Sequence, residues 1–105
     1  MKARLLLTTT SSEKDAQALA HALVERQLAA CVSFIPTVHS VYRWEGEIQS
    51  TAETLLLIKT TEALLSDIQI LFEQLHPYEV PEFLALDPAE MSAGYLSWLE
   101  SQCAK

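Results

Sequence analysis

The stretch "CVSFIPTVHSVYRWEGEIQSTAETLLLIKTT", residues 31–61, decides the fold. It is the longest strand-like section of the chain. Val32, Phe34, Val38, Tyr42 and Trp44 share one alternating parity, broken only at Pro36 and Ser40. Pro36 has no N–H to give to a ladder, so its strand is expected at a sheet edge or bulged at that point. "WEGE", residues 44–47, carries the only glycine of the stretch and marks a hairpin turn. The return limb ends in "LLLIK", residues 55–59, which is apolar on both parities. That pattern fits a central strand with both faces covered. The two limbs are long for a domain of this size, so their ends are expected to project and pair with another subunit.

The flanks supply the remaining elements. "ARLLLTTT", residues 3–10, reads as a buried strand. In "SSEKDAQALAHALVERQLAA", residues 11–30, Ala16, Leu19, Ala20, Leu23 and Val24 recur at helical spacing. Ser11 or Ser12 caps this helix, and Glu13 and Asp15 suit the positive end of its dipole. "TTEALLSDIQILFEQLHP", residues 60–77, predicts a second helix with Leu64, Leu65, Ile68, Leu71, Phe72 and Leu75 inward. Thr60 or Thr61 caps its start and Pro77 ends it. "EFLAL", residues 82–86, is a last short strand. "PAEMSAGYLSWLESQ", residues 88–102, is a last helix with Met91, Tyr95, Trp98 and Leu99 inward.

Two strand–helix–strand halves joined by a hairpin give an α+β, ferredoxin-like βαββαβ sandwich with an extra C-terminal helix. Its helices cover one face of an antiparallel sheet. The other face is also apolar, and self-association is the simplest way to bury it. At 105 residues the chain reads as one domain, 1–105.

The net charge of −7 gives no general attraction to nucleic acid or anionic membrane, though it suits cations. Two cysteines, Cys31 and Cys103, make no disulfide framework and no CxxC pair. The N-terminal apolar run is too short for an export signal or a membrane span, so a cytoplasmic location is expected.

"LAACVSFIP", "YRWEGEIQ", "LLLIKTT", "HPYEVPEFLAL" and "YLSWL" together resemble the CutA family, the divalent-cation tolerance proteins. The resemblance covers nearly the whole chain in order and spacing. It implies a ferredoxin-like subunit in a tight homotrimer with strands paired between subunits. It also implies a role in tolerance of copper or other divalent metals, with copper(II) or a similar ion as ligand. Some members have a cysteine in the first strand and a histidine just before "HPY", both proposed as metal ligands. Those places hold Thr8 and Leu75 here, and only the glutamate of "VPE", Glu82, remains.

Candidate chemistry centres on "HPYEVPEFLAL", residues 76–86. A proline-stiffened link joins His76 and Glu82, which makes them the candidate metal pair, although no HxH, HxxxH or CxxC spacing supports it. The competing role for His76 is a helix C-terminal cap. Cys31 is expected to be a buried small hydrophobe, and Cys103 an exposed thiol near the chain end. Lys59 ends an apolar strand, where partial burial would make its amine reactive. With Tyr78 and Glu82 beside it and Trp44 as an aromatic wall, it would line an intersubunit cleft. The competing reading is a buried ion pair that fixes the trimer. Trp44 is expected to anchor an interface, and Tyr95 and Trp98 to lie in the core.

The expected protein is therefore a trimer that binds metal or acts as a scaffold, and not an enzyme. Two other classes stay open: a signalling or anchoring trimer with a small molecule or protein in its clefts, and an enzyme using Lys59.

Overall fold

The computed structural model describes residues 2–104. Strand β1 (Ala3–Thr10) leads into helix α1 (Glu13–Glu25), then β2 (Cys31–Trp44) and β3 (Glu47–Thr61). A 3₁₀ turn (Glu62–Leu64) opens α2 (Leu65–Leu75), followed by β4 (Leu84–Leu86) and α3 (Ala93–Gln102). The sheet order is β2-β3-β1-β4, with every pair antiparallel. This is the ferredoxin-like arrangement expected from the two halves, and β3 is central as its doubly apolar run predicts.

Local chemistry explains the boundaries. Ser12 caps α1 by accepting the Asp15 N–H at 3.1 Å. Gln27, at φ 57°, takes the left-handed position that stops that helix. Glu45 and Gly46 have φ of 51° and 82°, the two positive values that a two-residue type I′ hairpin turn requires. His76 is already extended (φ −72°, ψ 132°) because Pro77 disfavours the helical region for the residue before it.

The core lies between the helices and one sheet face. Leu6, Leu56 and Ile58 of the sheet meet Leu19, Leu23, Ile68, Leu71, Phe72 and Leu99, all buried. Each such side chain contributes about 1.5–3 kcal/mol through removal from water. The opposite parity of the sheet, Leu5, Leu7, Leu55 and Leu57, is only half-buried, and Leu84 and Leu86 extend that apolar face in the open.

The edge position of Pro36 is as expected, and so is the bulge. Ile35 pairs with Leu55 and Val38 with Glu53, so β2 carries one residue more than β3 between them. That extra residue overturns the single-parity reading of β2. Val32 and Phe34 pair with Ile58 and Leu56 on the core side, whereas Val38, Tyr42 and Trp44 pair with Glu53, Gln49 and Glu47 on the other side. β1 pairs with β3 only from Thr54 to Thr61, so the outer half of the β2–β3 hairpin projects as an arm.

Other expectations are corrected. Val24 and Leu75, each in the last turn of its helix, turn outward. Tyr95 and Trp98 are also exposed. Leu99 fills the core-facing position of α3, and the two rings pack on each other with centroids 5.6 Å apart. Cys103 is buried, because the Ala104 N–H bonds the Gln27 carbonyl at 2.9 Å and holds the chain end against the body. Thr61 sits at the cap position of the 3₁₀ turn, but its side chain makes no cap bond.

Candidate functional site

β4 pairs only with Leu5–Leu7, which leaves Thr8 and Thr9 without a strand on that side. The connector from His76 to Phe83 supplies their partners. Thr8 is fully buried on the helical side of β1 and lies 3.0 Å from His76 Nε2. The Tyr78 N–H donates to His76 Nδ1 at 3.1 Å. Nδ1 therefore accepts, and the ring proton sits on Nε2, which donates to the Thr8 hydroxyl. Phe72 and Tyr78 flank the imidazole with centroids at 5.1 and 5.3 Å. Burial pushes His76 below the ordinary histidine pKa.

Two residues on, the chain has crossed to the other side of the sheet. The Tyr78 hydroxyl donates to Glu53 Oε2 at 2.5 Å. Glu53 is only 7% exposed, and sequence reasoning did not single it out. Burial alone would raise its pKa, but hydrogen bonds from Ser40, Tyr78 and Thr9 outweigh that and hold the carboxyl below the ordinary glutamate value. Tyr78 moves the opposite way. Burial first, then the bond and charge of Glu53, keep its phenol protonated well beyond the usual tyrosine range.

Glu53 and Tyr78 lie in a cleft of about 790 Å³ between the hairpin arm and the connector. Trp44 and Tyr42 contribute aromatic surface, and Glu79 and Glu82 add two further carboxylates. Among the described residues, no lysine, arginine or histidine lines it. A smaller hollow of about 500 Å³ lies on the other side of Tyr78 and Glu79, against Phe72 and Phe83.

Of the residues singled out in the sequence, Trp44, Tyr78 and Glu82 thus share one cleft. Lys59 does not join them within the chain. It lies six residues from Glu53 along β3, roughly 20 Å at strand rise. Its Nζ bonds Ser33 Oγ at 2.6 Å and approaches Cys31 Sγ at 3.8 Å. Cys31, expected to be buried, is partly exposed beside that amine. His76 sits at the C-cap of α2 with its backbone N–H on the Phe72 carbonyl at 2.9 Å, but its imidazole turns to Thr8 and Tyr78 instead of serving as a charged cap on the helix dipole. Both its ring nitrogens are engaged, and Leu75 is exposed on the helix surface. Among the described residues, no three His, Cys, Asp or Glu side chains converge as a metal site would need.

The missed residue had a weak signal. Glu53 follows a threonine–alanine pair in a hairpin limb, and read alone it belongs to a solvated arm. Only the position of Tyr78 makes it a buried carboxylate.

Comparisons with known proteins add the following. The sequence profile of a family described as "CutA1 divalent ion tolerance protein" matches residues 4–102. The chain is 46% identical over 95 residues to the divalent-cation tolerance protein CutA of Thermus thermophilus, covering 90% of this chain and 92% of that one. It is 39% identical over 97 residues to the chloroplastic protein CutA of Arabidopsis thaliana, covering 92% of this chain. It spans about half the length of that plant relative (53%). The solved structure of the Thermus thermophilus divalent cation tolerance protein superposes with a TM-score of 0.94 at 43% identity, covering 97% of this chain and 99% of that one.

Proposed function

Because the chain belongs to the CutA1 divalent ion tolerance family, we propose that it works as a homotrimeric cytoplasmic binding or scaffold protein in divalent-metal tolerance, and not as a catalyst. The observation that carries this reading is the cleft of Glu53, Tyr78, Glu79, Glu82 and Trp44, negative and without a cationic side chain among its described lining residues. Such a site attracts cations.

The trimer rests on the apolar face of Leu5, Leu7, Leu55, Leu57, Leu84 and Leu86, and on the projecting hairpin arm with its unpaired edges. Both are costly to leave in water. Three copies arranged around that face bury it, and the arm gains a strand to pair with. Lys59 lies on that same face of β3, so in a trimer it would border a neighbouring copy.

The donors within one chain do not fit a copper centre. Copper favours imidazole and thiolate, yet His76 has no free ring nitrogen and Cys31 lies at the opposite end of the hairpin. A divalent ion taken up by this protein meets carboxylate oxygens at Glu79 and Glu82 on the cleft rim, which suit harder ions.

Two measurements test the proposal. Native mass spectrometry at micromolar protomer should show three copies, and a monomer would overturn the assembly. Copper(II) and zinc(II) are then titrated against a competing chelator on reduced protein and on Glu82→Gln and His76→Ala. Binding weakened by Glu82→Gln supports the cleft. Tight binding lost only in His76→Ala would move the site to the imidazole.

A further inference from the structure

The connector between α2 and β4 hangs on few bonds. Pro77 and Pro81 have no N–H to give. Within residues 77–82, and counting bonds among the described residues, Tyr78 alone is held: its amide meets His76 Nδ1 and its phenol meets Glu53. The phenol reaches the sheet face that three copies would cover. The amide stays on the helical side, where His76 is 8% exposed within the single chain. That anchor is complete in one subunit and does not depend on its neighbours.

The amide bond sets a condition on a proton. A backbone N–H can only donate, so Nδ1 must offer its lone pair, and the ring is neutral with its hydrogen on Nε2. Nε2 then meets the Thr8 hydroxyl at 3.0 Å. An imidazolium carries N–H on both nitrogens and has no acceptor left. At Nδ1 it would set two N–H groups head to head at 3.1 Å. The elements around the ring offer little to offset this. Phe72 of α2 and Tyr78 bring aromatic faces. The charge of Asp15 in α1 and a backbone bond from Thr9 in β1 favour the cation, and burial outweighs both. Glu53 of β3 lies beyond the Tyr78 ring, at its phenol.

We infer that the His76–Tyr78 contact is an acid-release latch: a proton on Nδ1 turns the Tyr78 amide away and frees residues 77–82, while the sheet and the helices keep their packing. The body is held by other means, since Leu6, Leu56, Ile58, Ile68 and Leu71 are buried apolar side chains that do not titrate. Phe83 beyond the segment stays edge-on to Phe72, with centroids 5.6 Å apart. The latch stands apart from the cation reading, because it uses neither Glu79 nor Glu82. It is shut above the ordinary histidine value of 6.5. As pH falls from there toward the lower folded value, opening gains up to about ten-fold per pH unit, and it levels off below that value.

The contact runs from a side chain to the amide two residues on, with a proline between, which is the form of an Asx turn. An asparagine oxygen can therefore replace Nδ1 as acceptor without titrating. Residue-resolved amide exchange is measured from pH 7.5 to 5 on the full-length assembled protein and on His76→Asn, with rates corrected for their intrinsic pH dependence. The protection of the Tyr78 amide should fall about three-fold or more in the parent protein, while the amides of Leu6 and Ile58 hold theirs. In His76→Asn the Tyr78 protection should stay flat. Nitrogen NMR of the imidazole at pH 7.5 should show a bare Nδ1 and a protonated Nε2. A proton on Nδ1 at that pH overturns the inference. So does a Tyr78 protection that ignores pH, that falls in step with Leu6 and Ile58, or that falls equally in His76→Asn. If His76→Asn does not fold, the tautomer and the parent profile decide between the same outcomes.

Discussion

Removing the Tyr78 hydroxyl isolates one bond whose worth the structure allows to be worked out. Tyr78→Phe keeps the ring against His76 and deletes only the O–H that meets Glu53 at 2.5 Å. A hydrogen bond to an ionised partner contributes about 1.5–3 kcal/mol. The single variant should therefore lose about 1.5–3 kcal/mol of stability. The sharper quantity is the coupling from a double-mutant cycle of Tyr78→Phe and Glu53→Gln. Guanidinium unfolding of all four proteins at one protomer concentration should give about 1.5–3 kcal/mol at pH 7. The coupling should shrink as pH falls through the folded pKa of Glu53, which lies below the ordinary 4.5, because the bond then becomes neutral. A coupling within about 0.5 kcal/mol of zero at pH 7 would refute the picture of Glu53 as a buried, ionised partner.

Three further outcomes are expected. The buried neutral His76 contributes stability that is complete above its unfolded pKa near 6.5 and is lost as pH falls through its lower folded value. His76→Gln should therefore flatten the decline of the denaturation midpoint between pH 7 and 5, and an unchanged slope would assign that decline to other groups. Leu84→Lys adds a charge at a site 50% exposed in the single chain, so circular dichroism should stay native while the proposed trimer gives way to monomers in ultracentrifugation. An intact trimer would place the interface elsewhere. Deleting Thr37 removes the extra residue of the bulge and should carry Tyr42 and Trp44 to the opposite face of the arm, read as a changed Trp44 emission in a Trp98→Phe background.

The fold was legible because its signals are periodic and local. Serine capping of α1, glycine in the hairpin turn and Pro77 after α2 each act within a few residues. The doubly apolar "LLLIK" announces a central strand without reference to anything distant. The parity of β2 was not legible, since one alternating pattern spans residues 32–44 and a bulge at Pro36 can either preserve or reverse it. The ladder opposite decides, and that is set by β3. Tyr95 and Trp98 misled for the converse reason: a helix facing the body with Leu96 and Leu99 leaves its aromatic residues outside. In the site, the connector announced itself through its prolines and tyrosine. Glu53 and Thr8 stayed silent because their roles depend on partners 25 and 68 positions away.

Tyr78 is fastened at both ends. Its amide holds the imidazole beneath the helices, and its phenol holds a carboxylate on the far side of the sheet, so the residue passes around the short edge of β4 like a rivet through a plate. A rivet joins the motions of the two surfaces it clamps. One residue thus joins the buried imidazole on the helical side to the carboxylate on the other, so a substitution at Tyr78 touches both layers at once.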